Sequence, residues 1–461
     1  MISSTDIYLQ FPYFLKVIAA SVKGHNLQNF RYGKEIERLV EEAINRESWS
    51  AEQWDNWRLN RLEYILTRAA TRVPYYRDYW QQQRRSGNQA DWSTLSNWPI
   101  LMKEQVREKP LAFVADDCNP RRMYIDHTSG TTGTPLKIYQ SKKSVRYWYA
   151  LFEARWRRWY GVTNHDNWAI FGGRLVADFQ QIHPPYWVWN VGMHQLYCSS
   201  YHINENSVAD YIDAIEKHDV QYILGYPSTM YSIAAIALRL GLKPPRVRFL
   251  LSNAEPLYLH QKEKMQVFFQ APIYDTYGMA ETLCAASECE HGYMHMWPET
   301  GVFEVLDDTG SQVHTGQVGR LISTGLINAD MPLIRYDVGD NVAIGNEPWL
   351  CKCGRSMPRL LEILGRHDDM IQTKDGRMVG RLDPIFKQGF HISEAQIIQE
   401  SLEFFRIRYV PSEEFSYGDL EGIRSSLFQR VGPVGIEFEK VNAIPRTTAG
   451  KFQAVISKVK Q

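Results

Sequence analysis

Apolar and polar positions alternate in two registers along this chain. Between residues 34 and 83 the period is helical: KEIERLVEEAINR repeats apolar residues at the spacing of one helix face. A second helix is expected from SAEQWDNWRLNRLEYILTRAATRV, with Ser50 as N-cap, Gln53 completing a capping box and Pro74 as the stop. RRMYIDH (121–127) and LKIYQS (136–141) read as short strands flanking a polar loop. VQYILGYPSTMYSIAAIALRLGL (220–242) reads strand, turn, helix. RVRFLLSNAEPL and APIYDTYGMAET each read as an apolar strand that ends in polar loop residues. Strand–helix alternation with polar strand ends predicts a layered α/β domain whose ligand lies at the carboxyl edge of the sheet.

Beyond about residue 300 the pattern changes to short strands and glycine turns. The stretch 364–383, LGRHDDMIQTKDGRMVGRLD, reads as a polar linker. EAQIIQE, FFRIRYV and VGIEFEKV read as strands and SYGDLEGIRSSLFQRVG as a helix, which makes a small βαβ-type domain. The expected fold is therefore α/β: a large N-terminal layered α/β domain over 1–365 and a small α+β C-terminal domain over 366–461, joined by a hinge. The segment IYLQFPYFLKVIAASVK (7–23) has two readings, a helix docked on its own domain or one lying on a membrane surface.

Composition narrows the function. Lys+Arg and Asp+Glu balance at 52 each, which disfavours a nucleic-acid binder. No run of apolar residues is long enough to span a bilayer, and no secretory leader is read. Six cysteines are too few for a disulfide scaffold of this length. A reduced, cytoplasmic protein is expected, with membrane contact peripheral to an inner membrane at most. A homodimer stays open.

The polar loop between the two short strands is HTSGTTGTPLK (127–137). Glycine lets a backbone approach a ligand closely, and Ser and Thr add hydroxyl donors. The loop is not a Walker A motif, which would open directly into a helix. A phosphate cradle and a glycine-rich hairpin turn both fit it in isolation. Four further segments follow in order: YGMAET (277–282), RYDVGD (335–340), GRHDDMI (365–371) and PRTTAGK (445–451). Together the five resemble the phosphate loop, the Tyr-Gly-x-Thr-Glu and Tyr-x-x-Gly-Asp segments, the hinge and the catalytic-lysine loop of the adenylate-forming enzymes. That superfamily includes the acyl-CoA synthetases, peptide-synthetase adenylation domains and luciferases. TRVPYYRDYW, ECEHGYMHM, CKCGR and DGRMVGRLDPIFKQG make the chain most similar to the phenylacetate–CoA ligase branch, and within it to CapK-like members of capsule biosynthesis.

The resemblance implies an ATP-dependent ligase. Such an enzyme activates a carboxylic acid as acyl-AMP, releases pyrophosphate and passes the acyl group to an acceptor, in polysaccharide or natural-product biosynthesis. It implies that Thr128, Ser129, Gly130, Thr131, Thr132 and Gly133 wrap the phosphates, and that Asn253, Ala254, Glu255, Tyr277 and Gly278 flank the adenine. Asp340 would hold the ribose hydroxyls, Glu281 a magnesium ion, and Arg366 ribose or phosphate. Lys451 would bridge acid and nucleotide, and Asp368 would be the hinge. Gly172, Gly173, Arg174, Tyr226, Pro227 and Met279 would line the acid pocket, with Arg174 equally readable as structural.

Two departures stand out. Ala280 replaces the usual threonine before the motif glutamate, removing a donor to the α-phosphate worth on the order of 1.5–3 kcal/mol. The segment QTKDGRMVGRLDP differs from the acceptor loop of thioester-forming relatives, so CoA competes with an amine or hydroxyl as acceptor. The rival reading is a non-catalytic nucleotide-binding partner protein of the same fold, with Ala280 as its first lost residue.

Cys289, His295, Cys351 and Cys353 could form a closed Cys3His zinc site of structural character, with His291 competing as the fourth ligand.

Overall fold

The structure is a computed structural model. It describes residues 8–127, 136–174, 176–178, 181–345, 351–366, 371–374, 378–379, 391–412, 414–446 and 452–459. The chain opens with α1 (Tyr13–Arg31), α2 (Ile36–Arg46), α3 (Ala51–Arg72) and α4 (Pro74–Arg85). The Ser50–Gln53 capping box forms in both directions, at 3.2 and 2.9 Å. Such a cap is worth roughly 1 kcal/mol at a helix start. Pro74 does end α3, and it also starts α4 from the first helical position, where its missing N–H costs nothing.

α1 docks on its own domain through glycines. A side chain on Gly192 would meet the backbone nitrogen of His25 at 2.2 Å, and one on Gly24 would meet the Asn190 amide at 1.9 Å. Close helix approach here requires the absence of a Cβ.

A short hairpin follows, β1 (Tyr124–His127) and β2 (Lys137–Gln140), with His127 opposite Lys137. α5 (Lys103–Glu108) precedes it, and α6 (Lys142–Trp156) leaves it after the cap Ser141.

The central layer has six strands: β3 (Trp168–Gly172), β4 (Trp187–Asn190), β5 (Gln195–Ser199), β6 (Tyr222–Gly225), β7 (Phe249–Ser252) and β8 (Ile273–Tyr274). Their order is β4-β5-β3-β6-β7-β8, parallel except for the edge strand β4. Helices α7 (Val208–Lys217), α8 (Pro227–Arg239) and α9 (Leu259–Phe269) bury Ile212, Ile233 and Met265 on one face. α2 and α6 cover the other with Val40, Leu151 and Trp156. Both faces are therefore dry, as a parallel sheet requires.

A seven-stranded sheet follows: β9 (Thr276–Gly278), β10 (Ala285–Glu288), β11 (Met294–Met296), β12 (Gly301–Leu306), β13 (Val318–Gly325), β14 (Tyr336–Gly345) and β15 (Arg359–Arg366). Its order is β12-β13-β14-β15-β11-β10-β9.

The stretch 364–383 is not the plain linker that its composition suggests. Its first residues complete β15, and β16 (Ile371–Gln372) pairs with β17 (Met378–Val379). Ile371 is fully buried in the core of the small domain, so an apolar anchor sits inside the polar run. That domain holds β18 (Ile392–Ser401), β19 (Phe404–Pro411), α10 (Tyr417–Val431), β20 (Gly435–Lys440) and β21 (Val455–Ser457), in the order β20-β19-β18-β21. The expected α/β large domain and separate small domain are both present.

Candidate active site and metal knuckle

The carboxyl ends of β3, β6 and β7 carry Gly172-Gly173-Arg174, Tyr226-Pro227 and Asn253-Ala254-Glu255. Three tyrosines gather the first two segments. The Tyr197 hydroxyl accepts the Arg174 backbone N–H at 3.2 Å, and a side chain on Gly172 would meet that same hydroxyl at 2.8 Å. The Tyr201 hydroxyl donates to the Gly173 carbonyl at 3.0 Å. Burial pushes the Tyr226 phenol up to about 12, with Tyr197 and Glu255 adding to the rise, so the phenol stays protonated. Tyr197 and Tyr201 carried no motif, and sequence reasoning missed them. Pro227 is buried and opens α8 as its first residue.

Glu255, expected beside the adenine, is engaged by two backbone donors. Its carboxylate accepts the Ser228 N–H at 3.1 Å and the Phe452 N–H at 2.7 Å. Burial is the main force raising its pKa, and these two donors pull it back. The Phe452 contact ties the small domain's last loop to the end of β7, one residue beyond Lys451. Lys451 itself, Asp368 and the loop Thr128–Gly133 lie outside the described residues. Asn253 donates its backbone N–H to the Gly225 carbonyl, and Ala254 takes a left-handed backbone at φ 65°.

Tyr277, on β9 just before Gly278, donates its hydroxyl to Asp340 on β14. Asp340 is in turn the register partner of Arg366 on β15. Three of the sequence-selected residues thus meet through one hydrogen bond and one strand pairing.

Glu281 is buried just after β9. The Tyr336 hydroxyl donates to it at 3.2 Å, and Lys103 of α5 lies 3.6 Å away. Both partners escaped the motif reading, although Tyr336 stands inside RYDVGD. Met279 touches the Cys284 sulfur at 3.4 Å and joins the apolar cluster beneath the sheet.

The four proposed metal ligands converge. One donor atom from each of Cys289, His295, Cys351 and Cys353 lies within 4.8 Å of the others, and among the described residues His291 is not part of the group. The Cys289 and Cys351 sulfurs are 3.9 Å apart, and Cys353 is 3.5 Å from His295 Nε2. Tetrahedral zinc with sulfur at about 2.3 Å needs sulfurs separated by about 3.8 Å, so the set fits such an ion. His295 Nδ1 faces the Met357 carbonyl at 3.4 Å, an arrangement that would present Nε2 to a metal. Burial lowers the His295 pKa to about 4, keeping the ring neutral, as a ligand must be.

Residues 55–329, more than half of the chain, match the family described as AMP-binding enzyme. The chain belongs to that family. Residues 371–458 of this AMP-binding enzyme match the CapK C-terminal domain. Protein CapK of Staphylococcus aureus is 24% identical over 98% of this chain and 99% of its own length. A phenylacetate-coenzyme A ligase of Aromatoleum evansii is 26% identical, covering 68% of this chain and 70% of its own. A 2-hydroxyisobutyryl-CoA ligase crystallised in the postadenylation state shares the fold at a TM-score of 0.69 and 21% identity, covering 90% of this chain and 91% of that one. This AMP-binding enzyme is therefore adenylate-forming and CapK-like.

Proposed function

We propose that this acid ligase joins a carboxylic acid to the α-phosphate of ATP and then hands the acyl group to a nucleophile. A carboxylate oxygen attacks the α-phosphorus, the bond to the β-phosphate oxygen breaks, and pyrophosphate leaves. The acceptor then attacks the acyl carbon and AMP departs with the bonding electrons. The observation that supports this reading is the Phe452–Glu255 hydrogen bond, which brings Phe452, the residue after Lys451, to the carboxyl end of β7.

In this reading Thr128, Ser129, Gly130, Thr131, Thr132 and Gly133 cradle the phosphates. Asp340 accepts from the ribose hydroxyls, oriented by Tyr277. Glu281 would hold Mg²⁺, which supplies positive charge to the polyphosphate. Lys103 beside Glu281 offers charge near Ala280, where the family's threonine is missing. Lys451 balances the charge that develops as pyrophosphate leaves. The acid enters between Gly172, Arg174 and Tyr226, with Tyr197 and Tyr201 shaping that wall. Residues 366–461 form the mobile domain, with Asp368 as its pivot. Cys289, His295, Cys351 and Cys353 would hold a structural Zn²⁺. CoA, an amine or a sugar hydroxyl serves as acceptor.

Carboxylate-dependent ATP–pyrophosphate exchange over a panel of aryl, fatty, amino and sugar acids tests the first half-reaction. We expect exchange with one class, lost by at least about 1000-fold in Lys451→Ala because a group acting on the transition state is gone. Undiminished exchange in that variant removes Lys451 from the mechanism. Wild-type protein that binds ATP yet exchanges with no acid sinks the ligase reading. CoA, amines and hydroxyls offered to the preformed adenylate then separate the acceptors.

A further inference from the structure

α1 has two faces. Its packed face is tied to the domain: Ser21 Oγ accepts the Val191 N–H at 3.1 Å, and the Tyr13 oxygen accepts from Trp189 and Trp187. The opposite face is apolar and bare over its first three turns. Phe14, Ile18 and Val22 are 62%, 54% and 60% exposed, with Phe11 and Leu15 beside them. Their spacing of three and four residues makes one stripe.

Along α1 itself the charge is of one sign, while Asp178 acts on the buried Lys16, and Glu35, beyond the helix end, pairs with Arg146. From Ile7 to Lys34 there is no Asp or Glu, although the whole chain balances 52 against 52. Lys23 is exposed next to Val22, and Lys142 lies over the Phe30 ring at 5.9 Å near the helix end. A twofold contact between two copies would set this cationic patch against itself. An anionic surface complements it.

We propose that α1 lies in the headgroup boundary of an anionic lipid bilayer, with Phe14, Ile18 and Val22 inserted among the acyl chains. No helix among the described residues is long and apolar enough to cross a membrane, so the helix lies on the surface. Its docking by Gly24 and Gly192 fixes the large domain's orientation to that surface.

The test is flotation of the full chain with vesicles of phosphatidylcholine plus phosphatidylglycerol, and with phosphatidylcholine alone. Wild type is expected to float with the anionic vesicles, about tenfold less with the neutral ones, and about tenfold less after Phe14→Ser with Ile18→Ser. That double variant should keep its melting temperature, since both side chains are exposed. No flotation of wild type, or equal flotation of the variant, overturns the proposal. So does a wild-type mass of two copies that falls to one in the variant, which would make the stripe a self-association face.

Discussion

Asp275 sits between β8 and β9 with its carboxyl enclosed. Burial is the main cause that lifts its pKa from 3.8 to about 6; the Ser252 hydroxyl opposes the lift and Glu288 adds to it. The sign of the consequence follows from proton counting. Between these two values the folded chain holds a proton that the unfolded chain has lost. The group's contribution to stability is therefore full below 3.8 and is lost as pH rises through about 6. Asp275→Asn should remove this dependence. Relative to wild type, the variant should gain about 1–3 kcal/mol in urea unfolding as pH is raised across that window. A constant difference at every pH would refute the assignment. Nothing in the letters around Asp275 announced this, because desolvation is set by neighbours that come from distant strands. Glu281 was singled out for the opposite reason: its motif is local. Its partners Lys103 and Tyr336 were not, since they approach through α5 and β14.

At the scale of the element, the knuckle joins the turn after β10, the strand β11 and the loop before β15. Cys353→Ser should lower the melting temperature by several degrees and reduce bound zinc from about one ion per chain, because loss of a structural metal ligand is felt as folding energy. Metal analysis together with thermal melting checks both, and wild-type protein purified without zinc would end the idea. Cysteine and histidine spacing pointed to the four residues that cluster, His295 included, and the β10–β11 register, in which Ser287 pairs with His295, leaves the competing His291 outside the cluster. The same scale shows where patterning failed. The residues 364–383 looked like a linker because glycine and charge dominate the average. A single apolar residue, Ile371, outweighs that average by entering the small-domain core. The capping box at Ser50 was fully readable, since every atom it uses lies within four residues.

Over the whole molecule, one hydrogen-bonded carboxylate couples the two domains. Glu255 holds the Phe452 N–H from the small domain and the Ser228 N–H from the start of α8. Glu255→Ala should slow pyrophosphate exchange by about tenfold, as expected for loss of a buried charged acceptor. Transfer from a preformed acyl-adenylate should change little, because in the proposed function the small domain would have swung the lysine loop away by then. Equal slowing of both half-reactions would show that Glu255 merely stabilises the fold. The sequence disclosed both domains and their order, yet not which side chains face across the gap, because no local pattern encodes a contact between residues 197 apart.

His295 pairs with Arg359, the first residue of β15, and Asp340 pairs with Arg366, the last. One strand thus runs from the knuckle to Arg366, where the proposed hinge segment begins. In the proposed function the small domain swings about Asp368, and such a swing would exert torque on whatever anchors that segment. β15 would carry that torque back to the four clustered residues on a turn, a strand and a loop, which would make the knuckle the fixed end of a crank. A chain with a loosened knuckle would then lose timing between its two half-reactions before it lost either one.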